Sequence, residues 1–221
     1  MAIGRWCATP IGLLLASAWA APALAEAAPS PEPAEPSGAS AAPHPAHGLE
    51  RKFSVMAGLS QWLLLRGGNL ALEYKLSRFA FEVSHGQGLD LNQVGGFALS
   101  RAERDTGTLV RVPWTTGFGL GYRITENFHL LVEFKAHRYE VRAAEGKSTV
   151  SYTTFSIGPG AFYSIYLSKG LFLQPNVRFW PNIASTLADD RVQLERCDGT
   201  SYQHQAHDFG FFANINLGYS F

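Results

Sequence analysis

The sequence predicts an all-β fold: an eight-stranded antiparallel up-and-down barrel that crosses a membrane with its strands. Three observations predict it. From Lys52 to Phe221, apolar residues fall at every second position in eight runs, the period of a strand with two unlike faces. Tight turns alternate with longer connections, as in barrels with short turns on one rim and long loops on the other. Seven aromatics (Tyr74, Phe79, Tyr122, Phe128, Tyr163, Tyr219, Phe221) stand on the apolar face at the short-turn ends, where amphipathic rings suit a membrane interface.

The chain has 221 residues, of which 46% are hydrophobic and only 16% charged, below the roughly 25% charge of ordinary soluble domains. Residues 1–25 read as a secretory signal peptide. Arg5 precedes the apolar core "IGLLLASAWA" (Ile11–Ala20), and "ALA" (Ala23–Ala25) supplies the small residues of a cleavage site. Ten apolar residues are too few for a spanning helix. Removing the signal takes away Arg5 alone among charged residues and leaves one net negative charge. Without a basic excess, nucleic acid is not an expected partner. Cys7 falls in the signal, so Cys197 alone remains and no internal disulfide can form. Residues 26–50 hold six prolines and no aromatic and read as a disordered Pro/Ala-rich linker. The barrel follows at 51–221.

The first run sets Phe53, Val55, Ala57 and Leu59 against Ser54, Met56, Gly58 and Ser60. The second sets Leu70, Leu72, Tyr74 and Leu76 against Ala71, Glu73 and Lys75. The third sets Phe79, Phe81 and Val83 against Ala80, Glu82 and Ser84, continuing weakly to Asn92. The fourth, Thr108–Ile124, reads as one uninterrupted alternation, with Val110, Val112, Trp114, Thr116, Phe118, Leu120, Tyr122 and Ile124 on the greasy face. Arg111 and the odd residues to Arg123 oppose them. Phe128–Ala136 and Phe155–Leu167 repeat the pattern, then Leu171–Phe179, then Phe209–Phe221. Turns at Ser77–Arg78, Thr125–Asn127 and Ser168–Gly170 are short. The other connections are Arg66–Gly68, about 93–107, Ala143–Lys147 and about 182–207.

The second face is interleaved with Gly117, Gly119, Gly121, Gly158, Gly160 and Gly218, which suits a crowded lumen better than a solvated surface. It carries Glu73, Lys75, Glu82, Arg111, Arg123, Glu133, Lys135 and Arg178. Charges in a narrow lumen must pair, because an unpaired buried charge is very costly. They are expected to form an ionic plug; a narrow solute conduit is the alternative.

The ending "NLGYSF" resembles the terminal signature of bacterial outer-membrane barrels, with Phe221 last, Tyr219 two before it, and Leu217, Ile215 and Ala213 alternating behind. Over residues 52–221 the chain resembles the small OmpA/OmpX-type barrels. That resemblance implies a monomer in the outer membrane of a Gram-negative cell, among outer-membrane lipid and lipopolysaccharide. It also implies recognition of Leu217, Tyr219 and Phe221 by the barrel-assembly machinery, after delivery by export chaperones. Full-length OmpA proteins add a periplasmic domain after the barrel; this sequence ends at Phe221, and anchoring by such a domain is not expected.

Function is expected in envelope structure or in surface binding by the loops. The last loop holds Asp189, Asp190, Glu195, Cys197, Asp198, His204, His207 and Asp208. His204, His207 and Cys197 could ligate a metal, but no zinc-type spacing is present, so an exposed polar loop with no metal or cofactor is expected. An enzyme acting on lipid A or on peptides is the further alternative. Ser84 and His85 are adjacent, so a strand points them to opposite faces. Asp189, Asp190, His207 and Asp208 bear a faint likeness to a protease acid–histidine set. In a soluble lipocalin-like carrier the apolar face would instead point inward.

Overall fold

The computed structural model describes residues 52–96, 99–143, 148–195 and 199–221. The signal peptide, the linker, most of the Ala143–Lys147 loop and Cys197 lie outside the described residues. The strands are β1 (Phe53–Gly58), β2 (Gly68–Leu76), β3 (Phe79–Asp90), β4 (Leu109–Arg123), β5 (Phe128–Arg142), β6 (Thr149–Tyr163) and β7 (Ile165–Tyr166). They continue with β8 (Leu171–Trp180), β9 (Asn182–Ser185), β10 (Arg191–Glu195), β11 (Ser201–Gln205) and β12 (Gly210–Ser220). Two short helices interrupt them, α1 (Leu59–Leu64) and α2 (Arg101–Asp105).

Among the described residues, eight antiparallel staves close into a ring. β1 through β6 pair in sequence, β6 pairs β8, β8 pairs β12, and β12 returns to β1. β7 continues β6 past Ser164, and β9 continues β8 past Pro181. The closing pair runs from Ser54↔Ser220 to Gly58↔Asn216. β10 and β11 form a separate hairpin at the long-loop end.

Along the short-turn half, the faces follow the alternation. Leu72, Phe81, Phe118, Leu120, Val132, Val177 and Leu217 are exposed on the outer wall, while Glu73, Glu82, Glu133, Lys135 and Arg178 are buried inside. The predicted aromatics collect at the short-turn rim, where Phe79 meets Tyr122 edge-on at 6.0 Å and Phe221 packs against Tyr219 at 5.0 Å and Phe53 at 6.3 Å.

Towards the long-loop end the wall changes solvents. The sequence shows an unbroken fourth strand, but the β4–β5 register slips by one residue between Arg111 and Trp114. The extra residue is accommodated beside Pro113, and a one-residue slip moves side chains to the opposite face. β3 makes the matching change at Gly88, whose φ of 69° supplies the left-handed step. Beyond these bulges Val110, Val112, Leu89 and Leu91 point inward and are buried. Arg111, read from the sequence as a lumen residue, instead faces outward, set across the strands from Asp90 and Glu140. Tyr139, Val141, Tyr152, Trp180 and Phe212 complete an apolar core inside this upper section. Polar lumen and apolar wall thus give way to apolar interior and charged wall.

β1 is also shorter than its alternation suggests. Trp62–Leu65 is an unbroken apolar run, which period two cannot place, and the chain turns into α1 instead. Its Ser60 N–H donates to Asn214 Oδ1 of β12 at 3.1 Å. Gln61 and Leu65 turn inward, while Trp62, Leu63 and Leu64 stay exposed. No helix of the described residues is long and apolar enough to cross a membrane.

Candidate functional site

Two assemblies of polar groups lie inside the barrel. The first is the lumen network, supplied by inward positions of β2, β3, β5 and β8. Arg178 is its centre. Its Nη1 donates to Glu82 Oε1 at 3.1 Å and to Glu133 Oε1 at 2.7 Å, and its Nε donates to Asn176 Oδ1 at 2.9 Å. Glu133 Oε2 accepts from Trp180 Nε1 at 3.1 Å. Lys135 Nζ stands 3.6 Å from Glu133 and donates to Ser84 Oγ at 2.6 Å. The guanidinium also lies 4.6 Å from the Phe162 ring centre. Two carboxylates are therefore matched by two cations in one cluster.

Nearer the short turns, Glu73 is paired with Lys75 at 2.9 Å and with His129 Nε2 at 3.2 Å. Arg123 donates to the Ser77 carbonyl at 3.0 Å. Seven of the eight predicted lumen residues are thus inside, and Arg111 is the exception. Sequence reading omitted His129, Asn176 and Trp180 from the network; their inward parity was visible, but the partners of His129 and Trp180, Glu73 and Glu133, lie on other staves, and Asn176 bonds Arg178 two residues along its own. Glu73 is 0% exposed and Arg178 5%, so neither charge reaches bulk water. Where the ionic cluster meets the apolar cap, between Lys135, His137, Arg178 and Trp180, the remaining space is about 10 Å³, room for roughly one water.

The second assembly lies at the long-loop end. α2 is fixed by a capping box: Ser100 Oγ accepts from the Glu103 N–H at 3.2 Å, and Glu103 Oε2 accepts from the Ser100 N–H at 2.7 Å. Glu103 Oε1 meets His207 Nδ1 at 3.1 Å and lies 3.8 Å from His204 Nδ1. His204 Nε2 in turn is 2.9 Å from the Tyr152 hydroxyl, which accepts from the His207 N–H at 2.9 Å. Tyr202, on the same hairpin, bonds Thr108. Burial pushes the Glu103 carboxyl up, but His207 and the Ser100 N–H outweigh it and hold it down to about 2. Burial lowers the His204 imidazole, against the pull of Glu103.

The expected exposed polar loop is therefore a folded hairpin with His204 and His207 turned inward, at 3% and 7% exposure. Their partner is Glu103, which sequence reading missed. The Ser100-x-x-Glu103 signature would have marked a helix start; the contact to His207 spans 104 residues and has no local signal. Asp189 and Asp190 sit exposed in a turn with φ near 53°, and Asp208 Oδ1 accepts from Gly210 N–H at 3.0 Å. Ser84 and His85 do face opposite ways, Ser84 to Lys135 and His85 to Thr116 on the outside. Among the described residues no acidic, histidine or cysteine cluster has metal-holding geometry. The contact of Glu103 with His204 and His207 latches the hairpin to α2, and a cleft of about 610 Å³ opens beside this latch, lined by Leu99, Ser100, Ala102, Glu103 and residues 202–208.

Acid is expected to loosen this latch. Glu103 is held below its ordinary 4.5, so its contribution is full above about pH 4.5 and is lost as pH falls towards 2. His204, held below its ordinary 6.5, takes up a proton more readily when undocked, so docking also weakens below about pH 6.5. Pepsin cleavage within 188–206 should therefore rise steeply between about pH 4.5 and 2. Glu103→Gln should flatten that rise and expose the hairpin amides to faster hydrogen exchange at neutral pH. Equal pepsin profiles for the two proteins would rule the latch out.

No family model and no curated protein matches the sequence. Among solved structures, a major outer membrane protein from Thermus thermophilus is 14% identical at a TM-score of 0.42, covering 77% of this chain and 99% of that one. The outer membrane protease OmpT from Escherichia coli is 13% identical at a TM-score of 0.27, covering 70% of this chain and 63% of that one. With likenesses so slight, the chain's own wall and lumen are the grounds for its function.

Proposed function

We propose that the chain is an integral outer-membrane barrel, plugged through its lumen, that serves envelope structure and surface binding through its long-loop end. What carries the reading is the exchange of faces along one wall. On β4, outward residues from Trp114 to Tyr122 are apolar or Thr over nine residues, the length of a tilted membrane strand. Beyond the bulge the outward residues of β4 and β5 are Arg111, Glu140 and Arg142, with Leu109 the one apolar side chain among them, and Arg138 stands at the boundary opposite Trp114. Such a wall fits hydrocarbon below and water above. A carrier with an apolar interior would bury the opposite face in the lower half.

In this reading the aromatic rim lies at the periplasmic interface and the hairpin faces outward from the cell. Leu217, Tyr219 and Phe221 lie on the lipid face of the closing strand and form its assembly signal. The barrel acts as a monomer among lipid and lipopolysaccharide, without catalysis. Surface binding falls to the cleft beside the latch.

The test is planar-bilayer recording of purified protein whose gel band shifts on boiling. The expected result is a heat-shifted band and no steady conductance. Steady conductance would overturn the plug, and release as soluble material without a shift would overturn the membrane barrel.

A further inference from the structure

Four prolines lie among the described residues, and three of them, Pro159, Pro175 and Pro181, border one seam of the barrel, between β6 and β8. A proline has no N–H to give to a ladder. The seam keeps one register over most of its length, but its pairing lapses twice. One gap falls between Ser156↔Asn182 and Gly160↔Arg178, the other between Phe162↔Asn176 and Ile165↔Leu173. Neighbouring seams are continuous here: β5 pairs β6 at every position from Phe128↔Tyr163 to Arg142↔Thr149, and β8 pairs β12 from Leu171↔Tyr219 to Trp180↔Gly210.

The outer wall over this seam is hollow. Ala161, Val177 and Ala213 stand side by side across β6, β8 and β12. With Pro175, Ile215 and Tyr163 they line a groove of about 530 Å³, within the roughly 300–1,000 Å³ of small-molecule sites. Elsewhere the belt at comparable positions carries Leu120, Phe118, Leu130 and Val132. Small side chains and proline rings leave the hollow, and the interrupted ladder leaves its floor freer to yield than a continuous one.

We propose that this groove seats one acyl chain of a membrane phospholipid. The proposal rests on the membrane reading above. The occupant follows from the lining and the position. Ala161, Val177, Ala213, Pro175 and Ile215 present no side-chain donor or acceptor, and Asn176 and Asn214 at the groove's inner edge are already bonded to Gln174, Arg178 and Asn216, so Ser60 and Tyr163 are the polar side chains left for an occupant; a peptide strand or a sugar would leave most of its polar groups unpaired in hydrocarbon. An alkyl chain has none to leave. Tyr163 lies at the short-turn rim, where a phenol sits at headgroup level, so the chain enters from the leaflet on that side. That leaflet is the periplasmic one, which makes the source a phospholipid.

The test is native mass spectrometry of the full barrel released from micelles containing phospholipid, with every variant first shown to give a heat-shifted band. One retained phospholipid per wild-type barrel is expected. Ala161→Phe and Ala213→Phe, which fill the groove, should lower its occupancy at least tenfold. Val132→Phe, on the belt outside the groove, should leave occupancy unchanged. A diazirine-bearing phospholipid should label residues 161, 175–177 and 213–215 above the rest of the belt. Equal occupancy in all variants, or uniform labelling, would overturn the groove while leaving the barrel intact. Wild-type dimers lost on filling the groove would overturn it in favour of a second copy of the chain. A protein that neither inserts nor shifts would bring down the membrane reading and the groove together.

Discussion

Arg178→Met is expected to lower the unfolding free energy of the barrel by about 3–5 kcal/mol, the range for removing one partner of a buried ion pair. The single guanidinium holds both Glu82 and Glu133. Without it, two carboxylates 1% exposed share a lumen with Lys135 as the remaining cation of their cluster. Methionine keeps much of the volume, so the loss reports charge and hydrogen bonding more than a cavity. Urea titration of the heat-shifted band in lipid vesicles would measure it. The double variant Arg178→Met, Glu82→Gln leaves Glu133 with Lys135 as its counter-ion and should recover most of the loss. An unchanged midpoint for Arg178→Met would mean that the network contributes nothing to the plug.

Gly158→Ala is expected to be as damaging, for a steric reason. A Cβ at this position would overlap the Phe179 carbonyl oxygen and come within 2.9 Å of its carbon and 3.0 Å of Pro181 Cδ. Backbone and a proline ring cannot rotate aside, so β6 and β8 must separate at a seam already short of hydrogen bonds. Overpacking typically costs about 1–3 kcal/mol and occasionally more, and with backbone in the way the upper end, about 3 kcal/mol, is expected here. Gly68→Ala is the matched control, with nothing within 4 Å of its added Cβ and an expected change within about 0.5 kcal/mol. Yields of heat-shifted band from outer-membrane fractions should fall for Gly158→Ala and hold for Gly68→Ala. Comparable yields and midpoints for both would contradict the close approach of the two strands.

The sequence alone determined the number of staves, their order, the rim that carries the short turns, and the inward parity of Glu73, Glu82, Glu133 and Arg178. These are local consequences of period two: one face of each stave meets one environment, and side chains must alternate to suit it. Alternation says that two faces differ; it does not say which solvent each one sees. Val110 and Val112 continue the apolar register of Phe118 and Leu120 in the sequence, yet lie on the opposite side of the wall. A one-residue bulge at Pro113, matched by Gly88 on the next stave, decided that, and with it the outward place of Arg111. Register between staves is set by pairing across the sheet, which leaves little trace in either strand. The latch has the same origin. Ser100 and Glu103 announce a helix, and His204 and His207 read as loop polar residues. Only closure of the barrel brings the 93–107 and 182–207 connections to one end of the core, where burial forces the imidazoles and the carboxylate to satisfy one another.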